Sequence, residues 1–500
     1  MKPYPKLLTK SKYIHGLNCK KFIWLEFNAP EELPGITKAT QQRFDEGYQI
    51  EQLAKTKFKD ALTASDDNFG KALEKSKSLL KERKPLFEAS FIANNCYARA
   101  DVLMPVGKNE WDIIEIKSGT TAKEHHFQDV SFQKYIYESA GLKINKCFIM
   151  RLNNQYVRKG ELNVDELFLL SDITEGLQSK KEVENNIKEI MEVIALKKCP
   201  AHEPGGYYCR DPYEVHHTDE FYKKHPKFDI MALYRAKDIA LELFHKGIIE
   251  IKDIPEEQLE KKHHKIQHKT HKTGEHHIHH EELDKFISEL KYPLYFMDFE
   301  TYSPAIPIYN GMKPYQQMPF QFSVQVVSKI NAKPKNISFI AHGPDDPREE
   351  FLDNLKEALG NNGSIVAYNA PFEKGIISKL AEFLQKHQKW ANSTLPRVVD
   401  LLVPFRNFSY YHPSQKGSIS LKKVLPAVTG ETYADLEISE GETASRIYYE
   451  MIHSNSNPNN PKTMSPSDKA NILKDLEDYC KRDTEGMIWI VEKLKELIGK

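Results

Sequence analysis

The sequence predicts a chain of α/β or α+β class, folded as two domains with a polar segment between them. Three observations lead to this prediction. Short apolar runs typical of buried strands, such as "PLYFMD" and "WDIIEI", alternate in both halves with longer amphipathic stretches typical of helices. A chain of 500 residues exceeds one typical domain. Its hydrophobic content of 40% is ordinary for a globular protein that buries a core.

The predicted boundary is the segment 255–283, "PEEQLEKKHHKIQHKTHKTGEHHIHHEEL". It holds eight of the 20 histidines, many lysines and glutamates, and almost no large apolar residue. Such a composition cannot bury a core, so we expect a linker or an exposed helix, and a histidine-rich tract is also able to bind metal. The expected domains are therefore residues 1–254 and 284–500.

Composition and charge exclude several classes of protein. The 71 basic and 71 acidic residues give a formal net charge of zero, which argues against a uniformly basic nucleic-acid binder. No run of about 18 or more apolar residues is present, and the N-terminus lacks an apolar signal core, so we expect neither a membrane span nor secretion. The six scattered cysteines do not form a disulfide framework, which indicates a cytoplasmic protein.

Positive charge is nevertheless concentrated at the N-terminus, where several lysines, including Lys10 and Lys12, precede the first acidic residue, Glu26. A local basic patch can bind nucleic acid without any net charge on the whole chain. The alternative is a solvated basic tail.

The strand-like stretch "PLYFMDFET" carries two carboxylates in an apolar setting. Side chains alternate across a strand, so Asp298 and Glu300 share one face, while Met297 and Phe299 share the other. Two like charges on one face of a core strand repel each other, and each loses hydration. A divalent cation would cancel that cost, because Mg²⁺ and Mn²⁺ prefer oxygen ligands.

Two later stretches supply further acids in matching contexts. "SIVAYNAPFEKGIISKLAEFL" predicts a short strand, a turn and a helix, with Glu373 near the helix N-terminus. "LKDLEDYCKRDTEGMIWIVEKL" predicts an amphipathic helix on which Tyr479 and Asp483, four residues apart, lie on one face.

These stretches resemble the DnaQ-like 3′–5′ exonucleases of the RNase H-like fold, the DEDD group with tyrosine. The family's Asp-x-Glu, Asn-x-x-Phe-Asp and Tyr-x-x-x-Asp motifs occur here in the same order at Asp298/Glu300, Asn369…Glu373 and Tyr479…Asp483. The middle acid is glutamate rather than aspartate. The resemblance implies that the four acids hold two metal ions, Mg²⁺ or Mn²⁺, and that Tyr479 positions or helps to deprotonate the attacking water.

The stretches "NGMKPYQQMPFQFS" and "GSISLKKVLPAVTG" are similar to segments of an uncharacterised bacterial family. That family fuses an exonuclease-like domain of this kind to a RecB-like nuclease domain. The resemblance implies that Lys422 lines the nucleic-acid strand, with a solvated loop as the alternative.

The N-terminal half has a second pattern, "RADVLMPVGKNEWDIIEIKSGT". It predicts a hairpin in which Glu115 and Lys117 lie beside each other on one face, with Asp101 across from them on the first strand. Two acids and a lysine suit phosphodiester hydrolysis, because the acids can hold Mg²⁺ while the lysine orients water and stabilises the phosphate. A salt-bridged strand pair is the alternative.

This pattern resembles the PD-(D/E)XK nucleases of the RecB and CRISPR-associated RecB-like type, whose fold is that of the restriction endonucleases. Gln133 and Tyr137, in "HHFQDVSFQKYIY", match that group's Gln-x-x-x-Tyr motif. The resemblance implies a nucleic-acid contact for both residues. The sequence departs from the group at Tyr48, which follows Gly47 where many relatives carry a metal-binding histidine.

Some RecB-like proteins hold an iron–sulfur cluster with one early and three late cysteines. Here Cys19 matches the early position, and the late region offers Cys199 and Cys209. Three cysteines are too few for a four-thiolate cluster, so we do not expect one. A zinc or cluster site completed by His216 or His217 is the alternative.

The predicted function is hydrolysis of DNA phosphodiester bonds by a metal-dependent nuclease. The C-terminal domain would be a 3′–5′ exonuclease and the N-terminal domain a second nuclease site, in DNA repair, spacer processing or defence against foreign DNA. Two alternatives stay open: a non-catalytic nucleic-acid-binding scaffold with decayed sites, and an RNA exonuclease. Single- or double-strand preference and oligomeric state are not predicted.

Overall fold

The computed structural model describes residues 7–33, 35–200, 227–453 and 464–500. The chain divides into two compact units. Unit 1 comprises Met1–Phe221 and Pro304–Gln316, and unit 2 comprises Tyr222–Ser303 and Gln317–Lys500. Both units combine strands and helices, so the mixed α/β class is confirmed.

Unit 1 is built on a seven-stranded mixed sheet. Its strands are β1 (Leu8–Thr9), β2 (Leu62–Thr63), β3 (Leu86–Ala93), β4 (Cys96–Val106), β5 (Glu110–Lys117), β6 (Lys143–Leu152) and β7 (Phe168–Asp172). Its helices are α1 (Lys10–Asn18), α2 (Lys20–Asn28), α3 (Lys38–Lys55), α4 (Phe69–Leu79), α5 (Glu124–Ser139), α6 (Val164–Leu167) and α7 (Lys180–Ile194).

The strands of this sheet follow the order β2-β3-β4-β5-β6-β7, and β1 pairs with β4. The pairs β3/β4 and β4/β5 are antiparallel, whereas β5/β6 is parallel and is connected through α5. The β4/β5 hairpin is the one that the sequence predicts: Ile113 and Ile114 are buried on opposite faces of β5. Such burial on both faces requires helices or loops to cover the sheet on each side.

The first residues of the described chain are fixed to this sheet. Leu8 in β1 pairs with Cys96 in β4 and is 1% exposed. In α1, the ring of Tyr13 stacks on Phe132 of α5 with ring centroids 4.5 Å apart. The N-terminal region from Leu8 onward is therefore part of the core of unit 1 rather than a solvated tail.

A short segment from the second half of the sequence completes unit 1. Ala305 is 1% exposed and joins the apolar cluster around Ile50 and Ile114. The Tyr315 hydroxyl donates to the carbonyl oxygen of Ser118 at 3.0 Å. The domain boundaries predicted from composition, 1–254 and 284–500, consequently differ from the compact units.

Unit 2 contains a five-stranded mixed sheet and a two-stranded one. The strands are β8 (His277–Ile278), β9 (Leu294–Tyr302), β10 (Met318–Val327), β11 (Lys335–Ile340), β12 (Ser364–Ala367), β13 (Val398–Asp400) and β14 (Tyr410–Tyr411). The helices are α8 (Lys237–His245), α9 (Lys262–Thr273), α10 (His280–Ser288), α11 (Arg348–Ala358), α12 (Pro371–Phe383), α13 (Gln388–Thr394), α14 (Val403–Arg406), α15 (Leu421–Thr429), α16 (Gly441–His453) and α17 (Pro466–Leu497).

The larger sheet follows the order β11-β10-β9-β12-β13. The three strands β9, β10 and β11 form an antiparallel meander, and β12 and β13 continue the sheet parallel to β9. β9 is therefore the central strand, and it carries the stretch "LYFMDFETY". A central strand is paired on both edges, which fixes its side chains against both faces of the sheet.

The histidine-rich segment 255–283 is folded into unit 2 rather than forming a linker. His264, Gln267 and His268 of α9 are all buried, and Gln267 Nε2 donates to the carbonyl oxygen of Ala232 at 3.0 Å. His271 Nδ1 lies 2.6 Å from Asp229 Oδ2. Composition misled here because buried polar side chains such as His264 and Gln267 find hydrogen-bond partners inside the protein, which lowers the cost of burial.

Among the described residues, no helix combines the length and the apolar character that crossing a bilayer requires.

Candidate functional site

Three carboxylates of unit 2 converge at one point. Asp298 and Glu300 come from β9, and Asp483 comes from α17. One carboxylate oxygen from each of the three lies within 4.8 Å of the others. Glu300 and Asp483 are 7% and 6% exposed, so the cluster is largely withdrawn from water.

Strand register explains why α17 meets the two acids of β9. Asp298 is paired with Ser323 of β10, and Glu300 is paired with Gln321. Directly paired residues in an antiparallel sheet project from the same face. The Ser323 hydroxyl lies 2.9 Å from the hydroxyl of Thr484 on α17, and Gln321 Nε2 donates to the Leu476 carbonyl oxygen at 2.8 Å. The polar side chains of β10 thus hold α17, and with it Asp483, over the face that carries the acids.

Glu373 is positioned by the turn that joins β12 to α12. Asn369 adopts a positive φ of 72°, and Asp400 Oδ1 accepts hydrogen bonds from the backbone N–H groups of Asn369 and Ala370 at 2.9 and 3.2 Å. Glu373 then lies in the first turn of α12 and is 2% exposed. Its Oε2 atom is buried without a hydrogen-bond partner. An unpaired buried carboxyl oxygen is costly, so Glu373 is a candidate ligand for a cation.

Electrostatics reflect this crowding of acids. Burial raises the pKa of Asp298 well above its ordinary value, and repulsion from Asp483 and Glu300 adds to the rise. Burial raises the pKa of Glu373 to about 8, with a contribution from Asp400. Burial also raises the pKa of Asp483 to about 6, although a hydrogen bond from Tyr433 opposes the shift.

Two tyrosines border the carboxylates. Tyr479 lies one turn before Asp483 on α17, as the spacing of these two residues leads us to expect, and its ring centroid is 6.3 Å from that of Tyr433. The Tyr433 hydroxyl donates a short hydrogen bond to Asp483 Oδ1. Burial and the neighbouring carboxylates raise the pKa of both tyrosines, so both hydroxyls stay protonated and act as donors near neutral pH.

Lys422 stands at the edge of the cluster. Its Nζ lies 5.0 Å from the centroid of the Tyr479 ring and donates to Glu440 Oε2 at 3.0 Å. Its positive charge lowers the pKa of Glu300 against the larger effect of burial, which raises it. The side chain is 24% exposed, so it is accessible to a ligand that approaches the carboxylates.

Sequence reasoning missed two residues of this site. Tyr433 lies outside the family motifs, in a loop that no periodic pattern marks. Cys480 follows Tyr479 directly, and its Sγ lies 3.6 Å from Asp298 Oδ2. The sequence could have indicated Cys480, because it is adjacent to the predicted site residue Tyr479 on the same helix, and neighbouring helical residues can contact different parts of one site.

The predicted residues of unit 1 also come together. Asp101 Oδ2 accepts a hydrogen bond from the Ile116 N–H at 2.7 Å, which holds it across from the second strand of the hairpin. Lys117 Nζ donates to Glu115 Oε1 and to Asp129 Oδ2, each at 2.7 Å. Glu115 is 1% exposed.

Two unpredicted residues complete this second cluster. Asp129 of α5 receives the second hydrogen bond of Lys117, and Lys10 of α1 donates to Glu115 Oε1 at 2.7 Å. Lys10 Nζ also lies 3.8 Å from Asp101 Oδ1. The three carboxylates of unit 1 therefore already face two ammonium groups.

Gln133 and Tyr137 do not reach the surface. Both are 0% exposed. Gln133 Nε2 donates to Glu115 Oε2 at 2.8 Å, and the Tyr137 hydroxyl accepts from the Ala100 N–H at 2.9 Å. This burial does not agree with the prediction that the two side chains contact nucleic acid. Their hydrogen bonds instead connect α5 to β4 and β5.

The two clusters differ in how well they fit a hard divalent cation. In unit 2 the closely grouped donors are all oxygens, from Asp298, Glu300 and Asp483. Glu373 is not a member of this group, although its charge adds to the rise in the pKa of Asp298 and of Glu300. This set fits Mg²⁺ or Mn²⁺. In unit 1 the Lys10 ammonium group lies against both acids that were expected to hold the metal, so that arrangement does not fit a cation. Within the described ranges, no other trio of acid, histidine or cysteine ligand atoms lies this close together.

The cysteines and histidines considered for an iron–sulfur or zinc site lie only partly within the described residues. Cys19 is buried at the start of α2, where its Sγ accepts a hydrogen bond from the Phe22 N–H at 3.3 Å. Cys199 is partly exposed. Cys209, His216 and His217 lie outside the described residues.

Comparison with protein families finds a match over part of the chain. A family model described as a domain of unknown function (DUF2779) matches residues 295–420. This region includes Asp298, Glu300 and Glu373 but ends before Tyr479 and Asp483.

Curated relatives are distant. The chain is 25% identical over 231 residues to an uncharacterised protein of Mycoplasma genitalium, which covers 43% of this chain and 33% of the relative. It is 24% identical over 229 residues to the homologous protein of Mycoplasma pneumoniae, covering 42% of this chain and 33% of that one. An uncharacterised protein of Ureaplasma parvum is 23% identical over 243 residues, with 43% and 33% covered. The chain thus spans about a third of the length of the curated relatives it matches, and residues 295–302 of its central strand lie in the region that the family model matches.

Proposed function

We propose that unit 2 is a metal-dependent nuclease that hydrolyses phosphodiester bonds, acting as a 3′–5′ exonuclease with DNA as the expected substrate. The observation that carries the proposal is the convergence of Asp298, Glu300 and Asp483. Glu373, whose charge adds to the rise in the pKa of Asp298, is the fourth candidate ligand. Buried acids with raised pKa values, which form no salt bridge with any described residue, suit a site that binds divalent cations.

The order of the strands supports the same proposal. An antiparallel meander of three strands, extended by two parallel strands on the side of the first, is the arrangement expected for an RNase H-like domain. In that arrangement the first strand is central and carries the leading pair of acids, as β9 does here.

The chemistry divides between the cations and the side chains. When bound, divalent cations would neutralise the carboxylates, polarise the scissile phosphate and activate water for in-line attack. Asp298, Glu300, Glu373 and Asp483 would hold them. Tyr479, which stays protonated and lies one turn from Asp483 on α17, would orient the attacking water or a phosphate oxygen as a hydrogen-bond donor. Lys422 would contact the incoming backbone phosphate once it releases Glu440.

The test uses 5′-labelled single- and double-stranded DNA and RNA with Mg²⁺ or Mn²⁺. We expect the wild-type protein to produce a ladder of 3′-shortened products. Asp298→Asn should slow the reaction by about 10³-fold or more, because it removes a charged ligand from the centre of the site. Glu357→Gln makes the same acid-to-amide change at an exposed position of α11 and should leave the ladder unchanged.

Two results would contradict the proposal. One is the absence of any metal-dependent shortening by the wild-type protein. The other is equal activity of Asp298→Asn and the wild type. Shortening of RNA but not DNA would instead select the RNA exonuclease alternative.

For unit 1 we propose, as a second candidate, a non-catalytic domain that binds nucleic acid. The ion pairs that Lys10 and Lys117 make with the expected metal ligands support its lack of catalysis, whereas its binding of nucleic acid rests on the resemblance alone. Lys117→Met tests this candidate in the same assay. Loss of internal cleavage in that variant would make unit 1 a nuclease, whereas an unchanged product pattern supports the binding domain.

A further inference from the structure

In the acidic cluster of unit 1, a lysine ammonium group lies between the two carboxylates that the sequence predicts to hold a metal ion. Lys10 Nζ is 2.7 Å from Glu115 Oε1 and 3.8 Å from Asp101 Oδ1, so one ammonium group contacts both acids that face the hairpin. Asp101 and Glu115 side chains are only 13% and 2% exposed. A cation held by two nearly buried carboxylates is screened little by salt or water.

The position of Lys10 is built into the fold. Leu8, two residues before it, is buried and paired with β4, and Tyr13, three residues after it, is buried against α5. The Tyr13 hydroxyl also bonds to Gln178 and Asn186, at 3.2 and 2.9 Å. The backbone around Lys10 is thus anchored on both sides, and its side chain has little freedom to choose other partners.

The local electrostatics of α1 point the same way. Lys10 is the first residue of that helix, where the positive end of the helix dipole repels a cation. The carboxylates of Glu115 and Asp101 offset this repulsion. Lys12, two residues further along α1, has no carboxylate partner among the described residues. Its Nζ lies over the Phe27 ring, 4.2 Å from the ring centroid.

We infer that the Lys10 ammonium group takes the position of a divalent cation in unit 1, so that this site is a latent metal site that the chain itself keeps closed. Within the part of the chain that the structure describes, the carboxylates of Asp101, Glu115 and Asp129 form salt bridges with Lys10 and Lys117. A hard divalent cation gains access to Asp101 and Glu115 only when Lys10 leaves. The inference does not depend on the activity proposed for unit 2.

The experiment measures Mn²⁺ binding to the full chain by the loss of the free-ion signal in electron paramagnetic resonance. Asp298→Asn and Asp483→Asn are present in every sample, which removes two of the four proposed metal ligands of unit 2 and makes any remaining binding there common to all samples. Into this background we introduce Lys10→Met, which leaves an unbranched side chain one atom shorter and removes its charge. Lys12→Met is the matched control on the same helix. Circular dichroism and thermal melting establish that each variant is folded.

We expect Lys10→Met to gain about one Mn²⁺ per chain with an affinity at least about tenfold higher than that of the background protein, because the competing ammonium group is gone. Adding Glu115→Gln should abolish the gain. Lys12→Met should bind no more Mn²⁺ than the background. Lys10→Gln, which retains a hydrogen-bond donor for Glu115, serves as a second neutral variant if Lys10→Met does not fold.

Two outcomes overturn the inference. If the background protein already binds Mn²⁺ at unit 1 as tightly as Lys10→Met, Lys10 does not close the site. If a folded neutral variant gains no Mn²⁺, or if Glu115→Gln leaves the gain intact, Asp101 and Glu115 do not form a latent metal site.

Discussion

Units 1 and 2 each gather acidic side chains on a buried strand, but they balance the charge differently. In unit 1, Lys10 and Lys117 contact the acids directly, at 2.7 Å from Glu115. In unit 2, Lys422 stays at the rim and pairs with Glu440, while Glu373 Oε2 has no hydrogen-bond partner among the residues that the structure describes. A cluster of acids on a strand therefore does not identify a metal site by itself. The useful distinction is whether the fold also supplies the cation.

Among the substitutions that contrast unit 2 with unit 1, Glu373→Gln should have the largest effect on activity. Glu373 is the acid of unit 2 whose Oε2 has no hydrogen-bond partner among the described residues. Glu373→Gln should lower the proposed nuclease activity by about 10²-fold, because it removes one charge from the oxygen ligands. The same variant should melt at a higher temperature than the wild type in chelator at pH 8, since it no longer buries an unpaired carboxylate. Activity assays and thermal melts with Glu357→Gln as control measure both effects. A lower melting temperature would show that the fold satisfies Glu373 without a cation.

Removing the charge of Lys10 in unit 1 should destabilise the protein, whereas removing that of Glu373 in unit 2 should stabilise it. Lys10→Met in otherwise unchanged protein should lower the free energy of unfolding by about 3 kcal/mol, the lower end for breaking a buried ion pair, because the Lys10 side chain is 26% exposed. Lys422→Met, at the rim of unit 2, should change it by less than about 1 kcal/mol. Urea titrations of both variants test the contrast. If the two substitutions lowered the free energy of unfolding equally, the predicted difference between the lysines of units 1 and 2 would be wrong.

The pH dependence of stability sharpens the contrast further. The pKa of Glu373 is raised from 4.5 to about 8 and that of Asp483 from 3.8 to about 6. Groups with raised pKa values in the folded state stabilise it fully below their unfolded values and lose that contribution as the pH rises through the folded ones. The metal-free wild type should therefore lose stability between about pH 4 and pH 8 relative to Glu373→Gln. Mg²⁺ should reverse the loss, and melts at a series of pH values, with and without Mg²⁺, measure it. Parallel pH profiles of the two proteins would contradict the assignment.

The smallest effect concerns Tyr433, which donates a hydrogen bond to Asp483. Tyr433→Phe should cost about 1 kcal/mol of stability and reduce activity by up to about tenfold, because Asp483 loses one of the donors that favour its ionised form. Tyr410→Phe, which removes a hydroxyl bonded to the Ala427 carbonyl oxygen at 3.1 Å, is the matched control and should affect stability only. If both variants retain full activity, Tyr433 does not position Asp483.

Periodicity and local spacing were enough to predict the mixed class and the parts of both sites that lie on one element. The pairs Asp298/Glu300 and Glu115/Lys117 follow from the alternation of a strand, and Tyr479/Asp483 from the turn of a helix. Partners from distant elements were beyond such reasoning. Lys10 meets Glu115 only because β1 joins β4, and Tyr433 meets Asp483 across a loop. The burial of His264 was missed for the same reason, since hydropathy does not register the carbonyl oxygen of Tyr234 that its ring meets at 3.0 Å.

The segment Pro304–Gln316 has a consequence for how this chain is made. A ribosome delivers the residues of unit 1 first, yet Ala305 and Tyr315, which complete its packing, emerge only after β9 has been synthesised. Domains that fold during synthesis generally do so from the N-terminus as each is completed. Here the nascent N-terminal half must wait, with part of its apolar surface uncovered, until the strand bearing Asp298 and Glu300 has followed it out. A fragment that ends before residue 304 should therefore be less soluble than one that extends to residue 316.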